Sequence, residues 1–290
     1  MRPAVKRRLW ILSDLQQSLP ERATACMTRA VRDFLSLQLE VEAVCYLGDA
    51  VEGHDLGFLR DMSAMQVREL SKVQAPIFYA LGNHDFDYYR YHEKDLARMT
   101  LPFYEAVSEH PQWRVGRGVE DMAFFEDFGD FALAFLPDHA AKDGRWYTTH
   151  GEVRGDADAY PNGPEAYQGV CDKIEGFGKP VITLSHYAFA GGNRPAPLLD
   201  RLLPLPGNVR LHLYGHAHIG DAYWAGKDCH RKIAGVDRQP LVQVDVASLE
   251  NYRGSAIRSV ILEWYRDQSI GVYFRNHTLC RWDECYVAEA

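Results

Sequence analysis

Two histidines that stand two positions apart are the most direct sign of chemistry in this chain. His216 and His218 follow an apolar run at 211–214, with Gly215 between the run and the first histidine. The run has the composition of a buried β-strand, and the glycine permits a tight turn at its end. Imidazoles at a strand end can bind a metal ion, although this pair alone is a weak signal.

Four other apolar runs, at 9–12, 41–47, 77–81 and 181–184, are also followed by residues that can bind metals. In chain order these residues are Asp14 and Gln16, Asp49, Asn83 and His84, and His186. Helical periodicity separates the first three runs, which predicts strands joined by helices and a parallel sheet. Ligands bind outside the carboxyl ends of the strands in open α/β sheets. We therefore expect these residues to form one site.

The expected ligand set combines oxygen and imidazole groups and contains no thiolate. That mixture suits Mn²⁺, Fe or Zn²⁺ better than a cysteine-based structural zinc site. The set is larger than one tetrahedral ion needs, so two ions that share a bridging carboxylate would use it well. Each segment alone also has a plainer explanation, such as a turn histidine or an Asx turn. Their joint occurrence after five apolar runs favours a metal site.

The helices are expected over 21–39 and 56–73, with a further helix over 95–109. A hairpin is expected from strands at 122–128 and 131–136. Three later runs are expected to form an antiparallel meander, at 242–246, 257–264 and 270–274. Residues 138–168 are rich in Gly, Asp, Pro and Tyr and show no clear period, so we interpret them as a lid or substrate-facing insertion. We expect residues 1–290 to form a single domain around that insertion.

Composition narrows the classes of function. Hydrophobic residues make up 47% of the chain and charged residues 25%, as in an ordinary globular protein. The net charge of −8 argues against an electrostatic nucleic-acid binder, although a bound metal pair would change the local field. The apolar stretch at 9–12 is too short for a signal peptide, and no segment is long enough to span a membrane. We expect a cytoplasmic protein without membrane contact.

The five segments resemble, in order, the motifs of the calcineurin-like metallophosphoesterases. The segments are Asp14-Leu15-Gln16, Gly48-Asp49-Ala50-Val51-Glu52, Gly82-Asn83-His84-Asp85, Ser185-His186 and Gly215-His216-Ala217-His218. The resemblance implies an α/β fold, a four-layer α/β/β/α sandwich, with a dimetal site between its two sheets. It also implies hydrolysis of a phosphoester by in-line attack of a metal-bridging hydroxide.

The same resemblance implies a role for each motif residue. The first metal ion would be held by Asp14, Gln16, Asp49 and His218. Asp49 would bridge to a second ion held by Asn83, His186 and His216. His84 would act as the catalytic acid over the site, oriented by Asp85, and Glu52 would support its turn without binding metal.

Gln16 departs from the family pattern, which usually has histidine at this position. An amide oxygen in place of an imidazole shifts the preference of a site toward harder ions such as Mn²⁺ or Mg²⁺. A similar Asp-x-Gln occurs in the manganese-dependent ADP-ribose/CDP-alcohol diphosphatases. We therefore expect two divalent ions, with Mn²⁺ favoured and Fe, Zn²⁺ or Mg²⁺ left open.

The substrate is expected to be a small nucleotide-type molecule, cleaved by a phosphodiesterase or pyrophosphatase activity. Its expected contacts are Asn83, His54, Tyr187 and Arg194. Two alternatives stay open: a DNA or RNA nuclease of the same family, and a non-catalytic scaffold with a decayed metal site. The sequence does not give the oligomeric state.

Overall fold

A computed structural model describes residues 3–53, 55–86, 106–107, 110–115, 123–136, 139–142, 145–148, 164–189, 205–218, 231–236 and 239–288. His54, Arg194 and all but two residues of the helix expected over 95–109 lie outside this part of the chain.

The secondary structure alternates strands and helices before it ends in strands alone. In chain order the elements are β1 (Val5–Leu12), α1 (Pro20–Ser36), β2 (Ala43–Leu47), α2 (Leu56–Leu70), β3 (Ile77–Ala80), a 3₁₀ turn (His84–Phe86), β4 (Trp113–Val115), β5 (Phe124–Asp127), β6 (Ala132–Phe135), β7 (His139–Lys142), β8 (Arg145–Thr148), α3 (Pro164–Gly176), β9 (Val181–Ser185), β10 (Val209–Tyr214), β11 (Arg231–Val236), β12 (Gln239–Asp245), β13 (Arg258–Tyr265), β14 (Ile270–Asn276) and β15 (Arg281–Ala288). Every strand expected before a ligand-type residue is present, with ends shifted by a few residues.

Two large sheets contain most of these strands. The first has seven strands in the order β15-β14-β13-β1-β2-β3-β4, and the second has six in the order β11-β12-β10-β9-β6-β5. In each sheet four neighbouring strands are parallel, from β1 to β4 in the first and from β12 to β6 in the second. Antiparallel strands lie outside these parallel sets.

Alternation along β1 explains why the sheets stack. Leu9 and Ile11 pack into the core between the two sheets, together with Leu211 and Leu213 of β10. The side chains between them point to the other face, because successive residues of a strand alternate. There Trp10 stacks on Phe34 of α1, with ring centroids 4.1 Å apart.

The second sheet is covered on its outer face in the same way. Val170 and Ile174 of α3 pack against Ala132 and Ala134 of β6. The layers are therefore helix, sheet, sheet and helix, and the expected α/β/β/α sandwich is confirmed. Because both faces of the central strands are buried, those strands are continuous apolar runs in the sequence.

The expected meander of three strands is wrong in one member. The strand expected at 242–246 is β12, and it pairs in parallel with β10 in the second sheet, with Val244 opposite Leu213. The antiparallel meander consists of β13, β14 and β15 and continues from β1. Position along the chain suggested the wrong neighbour, because an apolar run does not encode which sheet it joins.

The expected long loop at 138–168 contains regular structure that its composition did not reveal. β7 and β8 form a separate two-stranded antiparallel sheet, and α3 begins at Pro164. Four-residue strands are too short to show a period. None of the helices in the described ranges is long and apolar enough to cross a bilayer.

Candidate metal centre

The carboxyl ends of parallel strands in both sheets meet at one place. Asp14 follows β1 and Asp49 follows β2, while His186 follows β9 and His218 follows β10. Nε2 of His218 lies 3.1 Å from Oδ1 of Asp14, and Nε2 of His186 lies 3.1 Å from Oδ2 of Asp49. Carboxylates of the first sheet therefore face imidazoles of the second.

Two clusters of side chains in this region have ligand atoms close enough to hold a metal ion. One consists of Asp14, Asp49 and His218, and the other of Asp49, His186 and His216. Within each cluster the ligand atoms lie within 4.8 Å of one another. Asp49 belongs to both, so its carboxylate lies between two potential ion positions.

Four of the residues in the two clusters have a left-handed backbone conformation, which directs their side chains into the site. Asp14, Asp49, His216 and His218 have φ angles of 55°, 53°, 68° and 45°. Such angles in residues other than glycine cost about 1–3 kcal/mol each and are concentrated at functional sites. The amides of Leu15 and Gln16 both lie 3.1 Å from the carbonyl oxygen of Asp49, which ties the two turns of the first sheet together.

The glycines of two motifs allow the turns to approach each other. A Cβ at Gly82 would lie 2.2 Å from Oδ1 of Asp49, and one at Gly215 would lie 2.4 Å from Oδ2 of Asp14. Both distances are far below van der Waals contact. The glycines thus leave the space that the two carboxylates occupy.

Hydrogen bonds orient two of the histidines toward the clusters. Nδ1 of His186 lies 2.7 Å from the carbonyl oxygen of Leu47, so it carries the proton and donates it. Nε2 of His186 then faces Asp49. His218 is oriented likewise, because its Nδ1 lies 3.0 Å from Oε1 of Glu250. This arrangement is typical of metal-binding histidines.

Glu250 is a site residue that the sequence interpretation missed. Its side chain is fully buried, and Oε2 accepts a hydrogen bond of 2.7 Å from the amide of Tyr252. The backbone amide of Glu250 donates to the carbonyl oxygen of Asp14. The signal in the sequence was weak, because Glu250 stands four positions beyond the strand expected at 242–246, whereas the first recognised ligand after each of the other strands follows it more directly.

The charges at the centre are strongly coupled. Burial opposes ionisation of Asp14 and Asp49, but the neighbouring histidines hold the pKa of each carboxyl below its usual range. Burial also opposes protonation of the histidines, yet the same carboxylates raise the pKa of His186 to about 10 and of His218 to about 9. Buried carboxylates here require positive charge nearby, which divalent ions would supply.

Unsatisfied polar atoms indicate where such ions and their substrate fit. Among the described residues, Nδ2 of Asn83 is buried without a hydrogen bond, and the buried Oδ1 of Asp14 faces only Nε2 of His218 at 3.1 Å. Buried polar atoms are rarely left unpaired, so the Asn83 amide can donate to a ligand and the Asp14 oxygen can accept a cation. The residues present therefore fit a pair of divalent ions.

The Gln16 amide lies between the cluster of Asp14, Asp49 and His218 and the exposed side chain of Arg253. With its nitrogen toward Asp49, it donates to Oδ2 at 2.6 Å, and its oxygen lies 3.2 Å from Nε2 of His218 and 2.8 Å from Nη2 of Arg253. With the amide reversed, its oxygen would face Oδ2 of Asp49. Two acceptors at that separation are stable only with a cation beside them.

Asn83 and Tyr187 lie together at the second cluster. Oδ1 of Asn83 lies 3.2 Å from Nε2 of His186 and accepts a hydrogen bond of 2.9 Å from the hydroxyl of Tyr187. Tyr187 was expected to contact substrate, but it is only 2% exposed and lies behind Asn83. The structure thus shows Tyr187 orienting Asn83, and a substrate contact by Tyr187 stays a prediction.

The carboxylate of Asp85 holds backbone amides. It accepts hydrogen bonds from the amides of Gly82, Asp49 and Ala50 and from the hydroxyl of Tyr79. Burial, with a contribution from Asp49, raises the pKa of Asp85 to about 7. These contacts join the turn after β3, at Gly82, to the turn after β2, at Asp49 and Ala50. The expected role of Asp85 in orienting the ring of His84 stays a prediction.

His84 and Glu52 lie beside these clusters. His84 is partly buried, and its backbone amide donates to Oδ1 of Asp49 at 2.8 Å. Oε2 of Glu52 accepts a hydrogen bond of 3.4 Å from the hydroxyl of Tyr252. The backbone of His84 is thus tied to the shared carboxylate, while its role as the catalytic acid stays a prediction.

Comparison with known proteins agrees with this geometry. The model of the calcineurin-like phosphoesterase family matches residues 7–220, which contain all the ligand-type residues expected from the sequence. No curated protein matches the chain at a significant level of sequence similarity.

The solved structures that superpose on this chain include one that shows the same fold. A dimetal phosphatase from Danio rerio superposes with a TM-score of 0.62 at 14% sequence identity, covering 99% of both chains. A purple acid phosphatase from yellow lupin (Lupinus luteus) seeds superposes with a TM-score of 0.49 at 12% identity, covering 99% of this chain and 54% of the other. At 14% identity, the likeness to the Danio rerio phosphatase is one of fold.

Asp49→Asn is expected to reduce binding at both clusters, because one carboxylate contributes charge to each. Asp14→Asn is the matched control and is expected to weaken only the cluster that contains His218. Metal analysis after equilibration with Mn²⁺ should then give a lower stoichiometry for the first variant than for the second. Equal losses in the two variants would show that Asp49 is not shared.

Glu250→Gln is expected to weaken metal binding roughly ten- to a hundredfold, the usual effect of removing the carboxylate behind a ligating histidine. Titration calorimetry with Mn²⁺ would measure this affinity. Glu263→Gln is the control, because it removes a carboxylate that pairs with Arg8 on the first sheet. An unchanged affinity in Glu250→Gln would limit Glu250 to holding its own loop.

Proposed function

This chain belongs to the calcineurin-like phosphoesterases, and we propose that it hydrolyses a phosphodiester or phosphoanhydride bond in a small nucleotide-type substrate. The observation that carries the proposal is the shared carboxylate of Asp49, which lies in both potential metal clusters. When bound, two divalent ions would supply Lewis-acid charge to the phosphoryl group and lower the pKa of a water for in-line attack.

The chain's own residues supply the remaining functions. Asp14 and Asp49, with His186, His216, His218, Asn83 and Gln16, would hold the ions. Nδ2 of Asn83 has no partner among the described residues, so it can donate to a phosphoryl oxygen. His84 would donate a proton to the leaving oxygen, which an alkoxide leaving group needs most.

Manganese is the proposed metal, because Gln16 brings a neutral amide oxygen to the first cluster. The two clusters differ in this respect. The cluster of Asp49, His186 and His216 has two imidazoles, whereas the cluster of Asp14, Asp49 and His218 has one. Harder ions are therefore favoured at the Asp14 side.

A nuclease of the same family is the second candidate. The net charge of −8 makes it less suitable, since nucleic-acid binding depends on neutralising phosphates with basic residues. A scaffold with a decayed site is the third candidate, and the retained ligand groups argue against it.

A substrate panel tests the proposal directly. We expect ADP-ribose or a related nucleotide adduct, and bis-nitrophenyl phosphate, to be hydrolysed faster than nitrophenyl phosphate or single-stranded DNA. The panel should be run with Mn²⁺, Mg²⁺, Zn²⁺ and Fe²⁺, with Mn²⁺ expected to activate most. Activity confined to DNA would support the nuclease instead, and the absence of any bound or activating metal would support the scaffold.

His84→Asn is expected to fold and bind metal normally but to lose turnover by about 10²–10⁴-fold on substrates with a poor leaving group. The loss should be smaller when the leaving group is a nitrophenolate, which needs no proton. His110→Asn is the control, since His110 contacts Ser71 beside α2. Near-normal turnover of His84→Asn on the poor leaving group would remove His84 from the mechanism.

A further inference from the structure

We propose that Arg253 binds a phosphate group of the substrate, and that the Gln16 amide holds Arg253 aside until a metal ion engages Gln16. This inference rests on the function proposed above. Arg253 would thus be the anion-binding residue on the solvent-exposed side of the cluster of Asp14, Asp49 and His218. It also couples the binding of metal to the binding of substrate.

Arg253 lies in the segment between β12 and β13 and is exposed to solvent. The backbone around it is nevertheless tied to the metal centre. Its amide lies 3.4 Å from Oε2 of Glu250, the carboxylate whose other oxygen faces Nδ1 of His218. The guanidinium therefore starts from a fixed backbone position beside Glu250 and reaches the Gln16 amide.

The guanidinium has no carboxylate within ion-pair distance in the described ranges. Arginines that are more buried do have such a partner, as the pairs of Arg8 with Glu263 and Arg275 with Asp33 show. With the Gln16 nitrogen toward Asp49, the orientation that pairs every donor with an acceptor, Nη2 of Arg253 lies 2.8 Å from the oxygen of Gln16. Cζ of Arg253 lies 5.0 Å from the ring centroid of Tyr252. Its charge is thus held at the site by a neutral amide and an aromatic ring.

The contact between Gln16 and Arg253 depends on which end of the Gln16 amide faces the guanidinium. In the orientation that satisfies all hydrogen bonds, the oxygen accepts from Arg253 and the nitrogen donates to Asp49. A metal ion between Asp14 and Asp49 would require the oxygen, so the nitrogen would then face Arg253. Two donors cannot bond to each other, and the guanidinium would have to leave Gln16.

A released guanidinium beside bound cations is best stabilised by an anion. Arginine presents paired donors that match two oxygens of a phosphate, and such charge-assisted contacts are stronger than neutral ones. The ring of Tyr252 can keep the guanidinium plane in place while it changes partner. The anion that fits is therefore a phosphate group of the substrate, held on the side of the Asp14 cluster.

Binding of inorganic phosphate to the manganese-loaded protein tests the assignment without turnover. By titration calorimetry, Arg253→Gln is expected to weaken phosphate binding about tenfold or more, and Arg253→Lys by less, since lysine keeps the charge but loses the paired donors. Arg32→Gln, at an exposed position of α1, is the matched control and should bind phosphate as the parent does.

Binding of Mn²⁺ without phosphate tests the coupling. Arg253→Gln is expected to bind Mn²⁺ several-fold more tightly, because no guanidinium competes for the Gln16 oxygen or repels the ion. Damage to the loop would weaken both metal and phosphate binding, so opposite changes identify the proposed role. Weaker binding of both ligands, or an unchanged phosphate affinity, would overturn it.

The same proteins separate this inference from the proposed function. A parent protein that hydrolyses the substrate panel, with KM and phosphate affinity unaffected by Arg253→Gln, would contradict the role of Arg253 alone. A parent protein that binds Mn²⁺ and phosphate through Arg253 but hydrolyses no member of the panel would contradict the proposed function alone.

Discussion

The buried carboxylate of Asp49 is the contact on which both sheets of this protein converge. Its Oδ2 faces Nε2 of His186 from the second sheet, and its Oδ1 accepts the amide of His84 after β3. The carbonyl oxygen of the same residue lies 3.1 Å from the amides of Leu15 and Gln16 after β1. One residue thus connects the ends of four strands. A charge at this position must be compensated, because it is completely removed from solvent.

The sandwich keeps that charge buried while the turns hold unfavourable backbone angles. Left-handed conformations at Asp14, Asp49, His216 and His218 can persist only where their surroundings fix them. The apolar core between the sheets fixes the strands that precede them. The turn at Asp49 is fixed by hydrogen bonds from three backbone amides to Asp85, and the turn at His216 by the bond of its amide to Oδ2 of Asp14. Packing energy from the core therefore supports the geometry of the polar centre.

The ligand groups could be predicted from the sequence because each follows an apolar run directly. Asp14, Asp49, His186 and His218 required only the rule that parallel strands end at one edge of a sheet. Glu250 could not be assigned in this way, because its role depends on reaching His218 across 32 residues of chain. The partner of β12 was missed for the same reason: strand order depends on contacts between distant segments. Tyr187 looked like a loop residue, and only its burial shows that it lies behind Asn83.

Gln16 shows how one substitution in a metal motif can change what surrounds it. An imidazole whose free nitrogen faces a metal has only a donor left on its other side, so it could not accept a hydrogen bond from Arg253. A side-chain amide carries both an acceptor and a donor, which exchange places when the group rotates about its last torsion. Its two orientations therefore favour different neighbours. At the junction of Asp49, His218 and Arg253, the amide oxygen can serve either a cation bound among the carboxylates or the guanidinium at the mouth. Because one oxygen cannot serve both at full strength, the occupancy of the metal site and the position of the arginine become linked.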